Sequence, residues 1–266
     1  MADWEMRSEI EGDVVFFRYT GENLERAFSE VYVWDLDKTY LDTSWASASE
    51  LWRTVIEKAF QKKNIPGTAS LVRALRSGWE DKRGQLAFPI YFITASPPQM
   101  EEKITQKLEL DEIKPLGAFF KDNLKNWKPS RWWRLTKQVG FKVQALLQLR
   151  TRLKEDVRQV LWGDDSESDA VIYSLYSDIC ARRHSEKELI DILSSLHVIG
   201  EQTETILDLQ EQIPVNDPVE KIYINLATDT DPEYYLKFGR RCVPTLNTLQ
   251  AALDLFQDGR LNVGRV

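Results

Sequence analysis

Val31-Tyr32-Val33-Trp34 is an unbroken apolar run that stops at Asp35. Two further segments follow the same plan. Phe88-Pro89-Ile90-Tyr91-Phe92-Ile93 stops at Thr94, and Val157 to Trp162, with Arg158 and Gln159 before its apolar end, stops at Gly163-Asp164-Asp165. Short apolar stretches of this kind are expected of strands buried on both faces. Between them the period changes. Leu51, Trp52, Val55, Ile56, Ala59 and Phe60 recur at helical spacing and predict an amphipathic helix over 47–63. Pro66-Gly67 breaks that pattern, and a second helix is expected over 68–77. Ser96, Pro97 and Gln99 read as a capping box opening a helix through Met100, Ile104 and Leu108. A short strand is expected at 118–120 and a helix over 131–154, with an interruption at Gly140. Helices follow at 169–181 and 186–197.

Val14-Val15-Phe16-Phe17 predicts an edge strand in a short extension, 1–30. Residues 31–198 form the core unit. Residues 199–266 form a C-terminal extension packed on the same domain, with a linker or surface loop at 200–219, a strand at Lys221 to Leu226 and a helix at Leu246 to Asp258. Strands alternating with helices predict an α/β fold: a doubly wound, Rossmann-like parallel sheet with helices on both faces. The stretch between the first two strands is too short for a large cap domain. In such sheets ligands sit beyond the carboxyl ends of the strands. Asp35 and Asp37, Thr94, and Asp164, Asp165 and Asp169 all end or follow predicted strands.

Composition narrows the chemistry. The chain has 266 residues, 29% of them charged, and a formal net charge of −7, so nucleic-acid binding through a basic surface is not expected. No apolar run reaches the roughly 20 residues of a membrane-spanning helix. Cys180 and Cys242 stand far apart and read as reduced core thiols, which with an acidic N-terminus predicts a cytoplasmic protein. Only two histidines are present, so a histidine triad or ordinary zinc site is not expected. Catalysis falls to carboxylates, lysines and hydroxyls.

Asp35 and Asp37, at i and i+2, project to the same side of a chain leaving a sheet edge. The pair suits a carboxylate nucleophile, Asp35, with an acid/base partner, Asp37. Thr94 has a hydroxyl for a phosphoryl oxygen, and the helix start after it has backbone N–H groups. Its structural alternative is helix capping, the favoured role for Ser96. Asp164, Asp165 and Asp169 crowd three acids into six residues. Asp35 with Asp164 makes a hard-oxygen site suited to Mg²⁺; the alternative is an acidic helix N-terminus. The neutralising lysine is Lys142, with Lys137 the second choice.

These four elements in this order, over residues 31–173, resemble the haloacid dehalogenase-like (HAD) superfamily. The resemblance implies a phosphatase with Asp35 as nucleophile and Asp37 as general acid/base. It implies Thr94, Ala95 and Lys142 as phosphate ligands. The Mg²⁺ ligands it implies are Asp35, the backbone carbonyl of Asp37, and Asp164 with Asp165 or Asp169. Asp37-Lys38-Thr39 is also similar to the Asp-Lys-Thr of P-type ion pumps, but Asp35 fits a phosphatase better. More narrowly, Ile93-Thr94-Ala95-Ser96-Pro97 and the loop from Gly163 to Tyr173 are similar to phosphatidate phosphatases of the actin-patch type, with a departure at Asp165, where that family usually has Ser.

That resemblance makes a phosphatidate-like lipid the first expected substrate. The alternatives are a phosphorylated protein, sugar or nucleotide, or a non-catalytic phospholipid sensor of the same fold. Lys121 to Arg158 is a basic stretch interleaved with Trp127, Trp132 and Trp133. It is read three ways: core tryptophans with solvated charges, a funnel for phosphorylated substrate, or peripheral contact with an anionic membrane.

Overall fold

The computed structural model describes residues 3–21, 28–41, 64–83, 87–122, 131–165 and 168–262; of 81–83 and 131–137 it describes the backbone alone. The strands are β1 (Ser8–Glu11), β2 (Val14–Arg18), β3 (Glu30–Asp35), β4 (Ile90–Thr94), β5 (Gly117–Lys121), β6 (Arg158–Asp164), β7 (Val219–Asn225) and β8 (Cys242–Thr245). The helices are α1 (Thr68–Arg83), α2 (Glu101–Leu110), α3 (Arg131–Arg152), α4 (Asp169–Cys180), α5 (Glu186–Ser195), α6 (Gly200–Gln212) and α7 (Thr248–Gln257). All eight strands form one sheet, ordered β1-β2-β5-β4-β3-β6-β7-β8.

The six strands from β5 to β8 are parallel, as the buried apolar runs predict. From β3 the chain winds outward through β4 and β5, then returns to place β6 on the other side of β3. The β3/β6 junction is therefore the topological switch point, where a crevice opens at the carboxyl ends. The sheet departs from the all-parallel expectation at one flank. β1 and β2 form a hairpin, and β2 pairs antiparallel with β5. The Gly12-Asp13 loop, with Gly12 at φ 58°, is too short to join anything but antiparallel strands. Val14–Phe17 is thus an inner strand. The outer one is Ser8–Glu11, a mostly exposed strand with no apolar alternation to announce it.

Side chains alternate across the two sheet faces. Trp34, Trp162 and Tyr223 are register partners on β3, β6 and β7, and their rings stack at 4.6 and 4.7 Å under α1 and α7. On the opposite face α3 packs between α4 and α6. α3 runs through Gly140 without a break. A Cβ there would lie 2.2 Å from Oε1 of Gln202, so the glycine admits α6 to close contact. The same Gln202 donates to Asp13 at 2.6 Å and ties α6 to the hairpin.

Two local expectations are corrected and one strand is added. Residues 200–219 are not a linker: Gln202, Ile206 and Leu209 make a narrow buried stripe on α6, hidden in the sequence by the acids around it. Ser96 does not open a helix. It precedes Pro97, which precedes Pro98, and a residue before proline is pushed toward extended backbone. A 3₁₀ turn at Pro98–Met100 intervenes and α2 starts at Glu101 without a side-chain cap. β8, four residues containing Pro244, was not expected; as the outermost strand it tolerates the missing donor. The helix expected over 47–63 lies outside the described residues. Cys180 and Cys242 are buried free thiols, pushed up to about 12 and about 11, chiefly by burial.

Asp217 ties the crossover into β7 to the ends of α4 and β8. It accepts from Ser177, Arg183 and Arg241 at 2.7–2.8 Å. Burial works to raise its pKa, but these donors outweigh burial and hold the carboxyl below its usual value. Its stabilisation is therefore present above about pH 4 and lost as the pH falls through the depressed folded value. Asp217→Ala should cost about 1–3 kcal/mol at pH 7. In urea titrations the gap from wild type should narrow at pH 3.

Candidate active site

The buried carboxylate of Asp35 ends β3 at the switch point, 1% exposed. By alternation it turns toward α3, opposite Trp34. Lys142, wholly buried in the middle of α3, reaches it with Nζ 2.9 Å from Oδ1. The same ammonium lies 2.6 Å from Oδ1 of Asp169, the first residue of α4. The hydroxyl of Thr39 donates to the other oxygen of Asp35 at 3.2 Å. Two points thus fix the orientation of the carboxylate. The side chain of Lys137 lies outside the described residues.

Asp37 is carried on a tight turn after β3. The N–H groups of Tyr40 and Leu41 both donate to the carbonyl of Leu36, and Lys38 adopts φ 58°. This turn brings Asp37 to the end of β4, where the hydroxyl of Thr94 donates to Oδ2 at 2.8 Å. Thr94 in turn accepts from the N–H of Ser96 at 3.0 Å. A directed chain, Ser96 N–H to Thr94 to Asp37, joins two strand ends. Ala95 lies between its first two members, while the N-terminus of α2 is several residues further on. The turn is braced from behind: the hydroxyl of Tyr40, the amide of Asn64 and the ammonium of Lys107 all donate to Oδ2 of Asp111 at 2.5–2.9 Å.

The acidic loop after β6 divides its work among three residues. Asp164 is buried at the end of β6, which lies between β3 and β7. Asp169 accepts the N–H of Asp164 at 3.0 Å through Oδ2 while its Oδ1 holds Lys142. This requires Gly163, where a Cβ would lie 2.3–2.4 Å from Asp169 atoms. Asp165 turns elsewhere: its Oδ2 accepts from the N–H of Ala227 at 2.8 Å and from the hydroxyl of Thr230. Tyr173, one turn into α4, donates to the carbonyl of Trp162 at 2.7 Å. Burial first, then the Asp169 charge, pushes its hydroxyl far above the ordinary range. The roles of Thr39, Gly163 and Tyr173 depend on contacts that residue spacing alone does not reveal.

Among the described residues no three His, Cys, Asp or Glu side chains form a metal-binding group. The donor set nonetheless fits Mg²⁺. Asp35 and Asp164 are buried hard-oxygen donors at adjacent strand ends. Asp169, also buried, shares the Lys142 ammonium with Asp35. Mg²⁺ commonly takes one or two carboxylates and fills its other positions with water.

The described part of the basic stretch is largely built into the fold. Arg150 is buried and donates to the carbonyls of Lys154 and Glu155 and to Asn216. Arg152 pairs with Glu9, Arg158 pairs with Glu220, and Lys121 is buried above the Phe141 ring. Lys125, Trp127 and Lys128 lie outside the described residues, as do the side chains of Arg131, Trp132, Trp133 and Arg134. No described helix is long and apolar enough to cross a membrane.

Lys142→Met leaves Asp35 and Asp169 facing each other without their shared ammonium and should destabilise the fold by about 3–5 kcal/mol. Gly163→Ala should cost about 1–3 kcal/mol through overpacking and displace Asp169. Thermal or urea unfolding of each variant measures both.

The family model for "Phosphatidate phosphatase APP1, catalytic domain" matches residues 31–192. Among solved structures, a "putative beta-phosphoglucomutase" from Thermotoga maritima aligns over 85% of this chain and 98% of its own, at 14% identity and a TM-score of 0.38. That likeness is too slight to bear on fold or function. No curated protein sequence matches the chain. The family match takes in Asp35, Asp37, Thr94, Lys142, Asp164 and Asp169 and spans more than half of the 266 residues. The chain belongs to the phosphatidate phosphatase catalytic-domain family, a family of phosphatases.

Proposed function

We propose that this protein hydrolyses a phosphomonoester through an aspartyl-phosphate on Asp35, with Mg²⁺ as cofactor and a phosphatidate-like lipid as substrate. The observation that carries the reading is the buried Asp35 carboxylate, clamped by Lys142 and Thr39 beside the Asp37–Thr94 pair at the switch point. Family membership supports the phosphatase class, and the family's name supports the lipid.

The chemistry follows from the positions. An oxygen of Asp35 attacks phosphorus as the bond to the leaving alkoxide breaks, and Asp37 gives its proton to that leaving oxygen. Asp37, now ionised, takes a proton from water. The water oxygen attacks the same phosphorus, the bond to Asp35 breaks, and the carboxylate is restored with inorganic phosphate as product. The Thr94 hydroxyl, which donates to Asp37, stands at the strand end where a phosphoryl oxygen would arrive. Lys142 remains between Asp35 and Asp169 and offsets negative charge as the phosphoryl group arrives. Asp35, Asp164 and the carbonyl of Asp37 would hold Mg²⁺, which when bound would screen phosphoryl charge.

The test is phosphate release from a panel of phosphorylated lipids, sugars, nucleotides and peptides in Mg²⁺. Wild type should favour phosphatidate, and Asp35→Asn should lose at least about a thousand-fold in kcat. Activity persisting in Asp35→Asn would remove Asp35 as the nucleophile. If both proteins are inactive yet bind anionic liposomes, the enzyme reading fails in favour of a lipid sensor.

A further inference from the structure

The connection from β7 to β8 lies outside the stretch matched by the family model, yet it is fastened to the site. Asp165 follows Asp164 directly. Its N–H donates to the carbonyl of Asn225 at 3.2 Å, and its carboxylate holds Ala227 and Thr230. The chain then enters a 3₁₀ turn, Pro232–Phe238, started by the carboxylate of Asp231 accepting from the N–H of Glu233 at 2.9 Å. Within it Tyr235 is buried, and the turn packs against β8 and α4, the helix that starts at Asp169. The rings of Tyr234, Tyr235 and Phe238 pack together with centroids 5.4–6.4 Å apart.

Burying Tyr235 turns its neighbours outward. Tyr234 is 57% exposed and Leu236 75% exposed, and Lys237 lies 3.4 Å above the Tyr234 ring. Exposed apolar side chains beside a polar site suit a ligand that is itself part apolar. The same stretch exposes Asp229, Asp231 and Glu233. These acids disfavour attraction to an anionic surface, so the contact offered is apolar rather than electrostatic.

We propose that residues 226–238 form a substrate-selecting rim of the phosphatase site, positioned by Asp165 and presenting Tyr234 and Leu236 to the apolar tail of a phosphoester. The proposal rests on the phosphatase reading and adds the source of its preference for a lipid. It also gives Asp165 a positioning role in place of metal ligation.

Two measurements test it. In the metal-free protein, Asp165→Ala should speed hydrogen–deuterium exchange across 226–238, and Asp165→Asn, which keeps an acceptor oxygen, should restore much of the protection. Mg²⁺ affinity by calorimetry should change less than about two-fold in Asp165→Asn but fall about ten-fold or more in Asp164→Asn. Unchanged exchange in Asp165→Ala, or equal loss of Mg²⁺ affinity in the two Asn variants, overturns the positioning role.

The second measurement is the ratio of kcat/KM for dioctanoyl phosphatidate to that for glycerol 3-phosphate. Tyr234→Ser/Leu236→Ser should lower this ratio about ten-fold, with little dependence on salt. An unchanged ratio in a wild type that hydrolyses phosphate esters overturns the rim and leaves the phosphatase reading standing. A wild type that hydrolyses no ester overturns both the phosphatase reading and the rim's role in it.

Discussion

The fully buried ammonium of Lys142 is the point on which this architecture turns. Removing a lysine from water is costly, and a partnerless one tends to lose its proton. Here Asp35 and Asp169 both lie within 2.9 Å of it. Those two acids belong to β3 and the start of α4, and the lysine to α3, so one contact requires a strand end, a helix start and a helix middle to meet. Asp169 extends the requirement by taking the N–H of Asp164, which only a glycine at 163 permits. The packing that admits α3 and α4 to this face is therefore the packing that orients the Asp35 carboxylate.

Much of this was legible because parallel strands buried on both faces leave such plain traces. The runs ending at Asp35, Thr94 and Asp164 became three strand ends on one sheet edge, with the strand order placing two of them at the switch point. Lys142 was legible for a related reason, since it opens the apolar face of its helix. What escaped notice depends on contacts between distant residues. The buried stripe of α6 is outnumbered by its solvated acids. Gly140 reads as a break until Gln202 is placed against it. Asp165 reads as one more acid of a metal loop until Ala227 and Thr230 meet its carboxylate.

The two faces of the sheet divide the labour. Beneath α1 and α7, Trp34, Trp162 and Tyr223 stack across three strands, and stacked rings of this size resist shear between strands. Asp35 and Asp164 each lie within two residues of a ring in that stack, which holds their backbone positions. On β3 the opposite face carries Asp35, which meets Lys142 there. Alternation along β3 thus separates the stacked rings from the buried charge.

The strands within the family match, β3 to β6, form only the middle of the sheet. The outer side of β5 is occupied by β2, and the outer side of β6 by β7. Cut at the limits of the match, the sheet exposes two long apolar strands with open rows of hydrogen-bonding groups, a template for addition of strands from other molecules. The flanking strands replace those rows with less adhesive ones: β1, with Glu9 and Glu11, and β8, four residues long and containing Pro244. The strands outside the match thus cover the two open edges of those inside it.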